Sequence, residues 1–109
     1  MRCPVRVTAG AERDLAEISA YLQEREGSVL AERILEGLLA TAGQLARFPE
    51  RGTHPRELLA LGIREFRQVL FQPYRITYAI RAGTVFIYLI ADGRRDFQTL
   101  LERRLLRGD

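Results

Sequence analysis

A chain of 109 residues has the length of one domain, long enough to remove roughly two thirds of its unfolded surface from water without a disulfide or structural metal. No apolar run approaches the roughly 18 residues of a membrane span and no apolar core follows Met1-Arg2-Cys3-Pro4, while Cys3 is the single cysteine, so a cytoplasmic protein without a membrane partner is expected. The net charge of +3 is unevenly spread, −2 over residues 1–46, +4 over 47–81 and +1 over 82–109, which puts the positive excess on one middle stretch.

Val5-Arg6-Val7 reads as a short first strand, and Thr8 is placed to cap the helix after it. Ala11, Leu15, Ile18 and Leu22 fall on one helical face, and the helix ends near Gly27. Ser28 is the expected cap of a second helix with a broad apolar stripe of Ile34, Leu35, Leu38, Leu39, Ala42 and Leu45, stopped by Pro49 and Gly52. The two helices are expected to form an antiparallel hairpin.

Residues 49–62, with two prolines and two glycines, read as a surface connection rather than a domain boundary. Three strands follow at about 63–70, 74–81 and 84–91, with Arg81-Ala82-Gly83 as the last hairpin turn. In the middle one Tyr74, Ile76, Tyr78 and Ile80 alternate with Arg75, Thr77 and Arg81, which predicts one packed face and one polar face. The last strand, Thr84 to Ile90, is apolar on both faces and reads as central, with a helix layer on one side. Phe97, Leu100, Leu101 and Leu105 then repeat at helical spacing. The expected architecture over residues 1–109 is α+β, in the order β-α-α-β-β-β-α: an N-terminal strand, an antiparallel two-helix hairpin packed on a mostly antiparallel four-stranded sheet, and a short C-terminal helix.

All seventeen basic residues are arginine, a bias that a GC-rich genome would also produce; the planar guanidinium fork suits phosphates, carboxylates and stacking on bases. Arg64, Arg75 and Arg94 or Arg95 come from neighbouring strands and the turn after the last one, and their convergence would make a phosphate-binding patch. Ordinary surface ion pairs, such as Arg95 with Asp92 or Asp96 and Arg64 with Glu57 or Glu65, are the plainer reading. Proton-transfer groups are scarce: His54 is the one histidine, expected in an exposed loop, and Tyr74, Tyr78 and Tyr88 alternate with core residues. No metal site, phosphate-cradling glycine loop or nucleophile triad is present, so no cofactor is expected.

The order of these signals carries more than any one of them: Thr8-x-x-Ala11-x-x-Asp14-Leu15, a helical hairpin, Phe48-Pro49-x-x-Gly52, Arg56-Glu57-Leu58, Gly62-x-Arg64, Tyr74-Arg75-Ile76-x-Tyr78, an apolar strand and Gly93-Arg94-Arg95-Asp96. From about Val5 to Arg104 the chain resembles the RelE/ParE superfamily of toxins from bacterial type II toxin–antitoxin pairs, and is closer to the ParE branch.

That resemblance implies a toxin that inhibits DNA gyrase by direct binding and is not itself an enzyme. Its target would be met through Arg64, Arg67, Arg75, Arg94 and Arg95, and a cognate, acidic, DNA-binding antitoxin would neutralise it at a surface including Leu22, Leu38 and Leu45. The alternative branch implies a RelE-like endoribonuclease that cuts messenger RNA on the ribosome, with Arg64, Arg75 and Arg95 as its catalytic residues; against it, Leu101 stands where that branch draws on a tyrosine. A third expectation is an inactive member that retains only antitoxin binding.

Overall fold

A computed structural model, in which residues 2–107 are described, gives the order β1 (Val5–Val7), α1 (Ala9–Glu26), α2 (Ser28–Gly43), α3 (Arg56–Leu59), β2 (Phe66–Phe71), β3 (Tyr74–Arg81), β4 (Thr84–Asp92) and α4 (Phe97–Leu101). A 3₁₀ turn at Gln44–Ala46 extends α2 and a π-helical turn at Glu102–Leu106 extends α4. The expected α+β order is present, with α3 as an additional short helix inside the 49–62 connection.

The hairpin is fixed by local chemistry at both ends. The Thr8 hydroxyl accepts a hydrogen bond from the Ala11 N–H at 3.4 Å and donates to the Ile87 carbonyl at 2.7 Å, so one side chain starts α1 and fastens it to β4. Gly27, at φ +94°, ends α1 and occupies the cap position of α2; Ser28, expected there, is instead the first helical residue and makes no capping bond. Leu38, Ala42 and Leu45 are buried, whereas Leu39 of the expected stripe is 51% exposed on the outer side of α2.

The sheet order is β1-β4-β3-β2, with β2, β3 and β4 antiparallel and β1 parallel to β4. The Ala82–Gly83 turn between β3 and β4 has both central residues at positive φ (+50° and +76°), the geometry whose twist matches a two-residue hairpin. β2 begins at Phe66 rather than near 63, because the Ile63 N–H is taken by the Leu58 carbonyl at the end of α3 and is not available to a strand neighbour.

β4 is central, as its all-apolar sequence requires, but both of its faces are covered. One core joins α1 and α2 to the sheet through Leu38, Leu45, Ile76, Tyr78, Val85 and Ile87. A second core on the opposite face joins Leu58 of α3 and Phe97 and Leu101 of α4 to Phe66, Ala79 and Leu89. The two-sided arrangement depends on a bulge: Thr77 faces Leu89 and Tyr78 faces Ile87, so Tyr88 is the extra residue, and Tyr88 and Leu89 both join the second core. Among the described residues no helix is long and apolar enough to cross a membrane.

Candidate functional site

The face opposite the hairpin is organised around Arg75. Its position on β3 points the side chain toward α3 and α4, and there it is engaged on every side. Nη1 and Nη2 each donate to the Glu57 carboxylate at 2.8 Å, Nε donates to Gln68 Oε1 at 2.8 Å, and the guanidinium lies 3.8 Å from the centre of the Phe97 ring. Both members of the pair are largely shielded, with side-chain exposures of 13% and 14%. The Arg75 hydrogen bonds hold the Glu57 carboxyl below its ordinary pKa, against the opposing effect of burial. Gly93 keeps the end of β4 close to this cluster: a Cβ there would stand 2.8 Å from Arg75 Cδ.

The other arginines do not gather around it. Arg94 chelates Asp92 (Nε to Oδ1 2.9 Å, Nη2 to Oδ2 2.6 Å) and lowers that carboxyl's pKa. Arg67 turns to the other side of β2 and donates from Nη1 to the Glu50 and Gly52 carbonyls at 3.2 and 3.0 Å, which fastens the connection to the sheet edge. Arg64 precedes β2, not on it, and is exposed; Arg95 is exposed at the turn after β4. Of the five arginines expected to share one surface, Arg75 and Arg94 line one cavity of about 470 Å³, and Arg94 and Arg95 line another of about 630 Å³ on the hairpin side. The ion pairs expected for Arg95 and Arg64 are not formed among the described residues; their expected partners are taken by other arginines, Asp92 by Arg94, Glu57 by Arg75 and Glu65 by Arg81.

The tyrosines serve packing. Tyr78 is fully buried, its hydroxyl donating to the Pro49 carbonyl at 2.6 Å and accepting from the Gly52 N–H at 3.0 Å, and burial pushes its pKa up. Burial, and next the charge of Asp92, do the same for Tyr74. Tyr88 accepts from Arg81 Nε at 3.2 Å. His54 is not an exposed loop residue: it is half-buried, with Nδ1 3.1 Å from the Phe66 carbonyl.

The larger cavity is a groove between the helical hairpin and the ends of β3 and β4. Ile18, Leu22, Leu30 and Ile34 give it an apolar floor, Glu17 and Glu26 one acidic side, and Arg94 and Arg95 a basic side. Asp14 closes one end. Its Oδ2 accepts from the Ile90 N–H and from Arg104 Nη1, and its Oδ1 from Arg104 Nη2, all at 2.9 Å, while Arg104 Nη1 also donates to the Tyr88 carbonyl at 2.8 Å. Of the three leucines expected to meet a partner, Leu22 lines this groove, whereas Leu38 and Leu45 lie inside the core at 1% and 0% exposure. The pairings that the sequence did not announce, Glu57 with Arg75 and Arg104 with Asp14, act across long sequence separations and have no periodic signature.

The family model for the ParE toxin of the type II toxin–antitoxin system parDE matches residues 5–97. The chain belongs to the ParE toxin family. No curated protein matches it. Among solved structures, a chain of the chromosomal ParDE toxin–antitoxin system from P. aeruginosa superposes with a TM-score of 0.71 at 14% identity, over 84% of this chain and 96% of that one; the likeness is one of fold. A chain of the toxin–antitoxin complex RelBE2 from Mycobacterium tuberculosis superposes with a TM-score of 0.62 at 27% identity, over 84% of this chain and 99% of that one. The ParE family match takes in the hairpin, the whole sheet and the Gly93-Arg94-Arg95-Asp96 turn, and ends at Phe97, the first residue of α4.

Proposed function

We propose that the chain is a cytoplasmic toxin that arrests growth by binding DNA gyrase, and that a cognate antitoxin neutralises it by filling the groove between the hairpin and the sheet ends. The observation that carries this reading is the groove itself: an open apolar floor of Ile18, Leu22, Leu30 and Ile34 beside exposed Arg94 and Arg95. An amphipathic segment of an acidic antitoxin would bury its apolar side chains on that floor and place carboxylates against the two arginines. Of the proposed antitoxin contacts, Leu22 would act directly, with Leu38 and Leu45 supporting the helix from below. The antitoxin's other end would bind the operator of the shared operon.

Target contact then falls to Arg64, Arg94 and Arg95, which project from the surface; Arg67 and Arg75 position the connection, α3 and α4 by their internal bonds. The same internal bonds weigh against ribosome-dependent cleavage of messenger RNA through Arg64, Arg75 and Arg95. Arg75 has Nε, Nη1 and Nη2 committed, Leu101 is fully buried, and burial raises the pKa of Tyr74 and Tyr78, which makes them poorer proton donors. Direct binding needs no proton donor, which suits this set of residues.

Inducing the chain without its antitoxin, and pulse-labelling DNA and protein synthesis over the first minutes, tests the reading. The expected result is that DNA synthesis falls first, with an induced DNA-damage response. Protein synthesis falling first would transfer the assignment to the ribonuclease reading, and unchanged growth would leave a chain that only binds antitoxin.

A further inference from the structure

Taking the groove as the antitoxin's site, we infer that it selects a partner helix whose two flanks carry opposite charge, basic toward α1 and acidic toward the turn after β4, and that Glu17 and Glu26 reject a helix acidic on both flanks. Contact with the target plays no part in this selection.

The course of α1 separates the two walls. Thr8 bonds the Ile87 carbonyl and Asp14 the Ile90 N–H, so contacts advance together along both elements and α1 runs in the direction of β4. Beyond Ile90, β4 has only Ala91 and Asp92 left, about 7 Å of strand, whereas α1 continues from Asp14 to Glu26, about 18 Å of helix. The hairpin tip therefore overhangs the end of the sheet. Its underside carries Ile18, Leu22 and Ile34 with exposed Tyr21 and Leu30, and the Arg94–Arg95 turn stands across from it. An apolar floor between two walls about 18 Å long fits a helix of about 12 residues lying along it.

The walls differ in which charges are left over. Asp14 and Asp92 also line the groove, but each is paired, with Arg104 and Arg94. Glu17 and Glu26 are exposed and make no hydrogen bond or ion pair among the described residues. Arg25, beside Glu26 in sequence, does not neutralise it; its guanidinium lies over the Tyr21 ring, 5.0 Å from the centre. Glu26 is moreover the last residue of α1, at the negative end of the helix dipole, where a carboxylate is disfavoured and a cation from a partner is welcome. On the facing wall Arg95 is exposed with no side-chain partner among the described residues, and Arg94 keeps Nη1 uncommitted beyond its bonds to Asp92. A helix acidic on both flanks would satisfy the arginines and set carboxylates against Glu17 and Glu26, a repulsion that discriminates between partners sharing the same apolar stripe.

The test uses the purified full chain and three fluorescein-labelled, stapled helical peptides of about 16 residues, alike in their apolar stripe. One carries Lys on one flank and Glu on the other, one Glu on both, one Lys on both. A helix can lie in the groove in either direction, so the split peptide always has an orientation that turns Lys toward α1. Anisotropy on wild type should rank the split peptide tightest, roughly tenfold over the doubly acidic one at low salt, with the difference shrinking toward about 1 M salt. Glu17→Lys with Glu26→Lys, both at exposed positions and checked by a melting curve, should make the doubly acidic peptide the tightest. Arg94→Ala with Arg95→Ala should weaken the doubly acidic peptide and spare the doubly basic one. A doubly acidic peptide that binds wild type tightest, or a ranking unchanged by the two lysines, would overturn the selection and leave the groove as an unselective apolar site. Failure of all three peptides to bind would overturn the groove as a docking site, and the selection with it.

Discussion

Arg75 and Glu57 form a two-pronged ion pair, 2.8 Å on each prong, between β3 and the four-residue helix α3, with the Phe97 ring stacked on the guanidinium. One interaction thereby joins the sheet, the connection and the start of α4. An arginine that sequence alone assigns to a phosphate is spent on holding the second core in place.

Glu57→Gln should therefore destabilise the fold by about 3 kcal/mol at neutral pH, because it leaves a largely shielded arginine without its counter-charge. Glu57 has its pKa lowered below 4.5 by folding, so the pair contributes fully above that pH and its contribution is lost as pH falls through the depressed value. Urea unfolding of wild type and E57Q should show a gap at pH 7 that narrows toward pH 3. A gap that does not depend on pH would contradict the assignment.

Asp14→Asn should release the segment after α4. Asp14 is 9% exposed and holds Arg104 by two bonds across 90 positions of sequence, while accepting the Ile90 N–H. Asparagine keeps the size but loses the charge, and a loss of about 2 kcal/mol is expected. Hydrogen exchange should rise over residues 97–106 well before it rises in β3.

Gly37 of α2 packs directly against the Phe71 ring of β2. A methyl group there would overlap the Phe71 ring, although alanine is by itself the better helix former. Gly37→Ala should lower stability by about 1 to 3 kcal/mol, and pairing it with Phe71→Leu should recover part of the loss. Chemical denaturation of the two single variants and the double variant gives the coupling. Additive effects would mean that the ring moves aside without strain.

Thr77 presents the opposite case. Its Oγ1 is buried without a hydrogen-bond partner among the described residues, in the middle of β3. Thr77→Val keeps the shape and removes the unpaired hydroxyl, so stability should rise by about 1 kcal/mol. A fall of similar size in a thermal melt would indicate that the hydroxyl has a partner in solution.

What was legible in the sequence is what local patterns encode. Thr8 before an apolar helical face, Gly27 between two helices and the alternation from Tyr74 to Ile80 gave the hairpin and the central strands, because caps and side-chain periods are set by near neighbours. The second core was not legible. Leu58, Phe97 and Leu101 lie in separate short segments, and the bulge at Tyr88 turns two successive side chains of β4, Tyr88 and Leu89, toward them, which strict alternation does not announce.

The candidate site divided for the same reason. Alternation put Arg75 on the face away from the hairpin, but that face is the second core and not the polar surface expected, with Thr77 fully buried on it; Glu57 is a lone carboxylate in the connection, with nothing local to announce that it faces Arg75 from 18 positions away. The helical stripe put Leu22, Leu38 and Leu45 on inward faces without saying where the sheet beneath them ends. Leu22 lies where the floor opens into the groove, and the other two lie where the sheet is closed.

The most direct test of the functional account is DNA supercoiling by purified gyrase with the purified chain added. The account predicts that the wild-type protein inhibits supercoiling, that Arg94→Ala with Arg95→Ala loses most of that inhibition while folding normally, and that Arg75→Ala loses it only in proportion to its lost stability. Undiminished supercoiling at a large excess of folded wild-type protein would contradict the proposal that this ParE-family chain acts on gyrase.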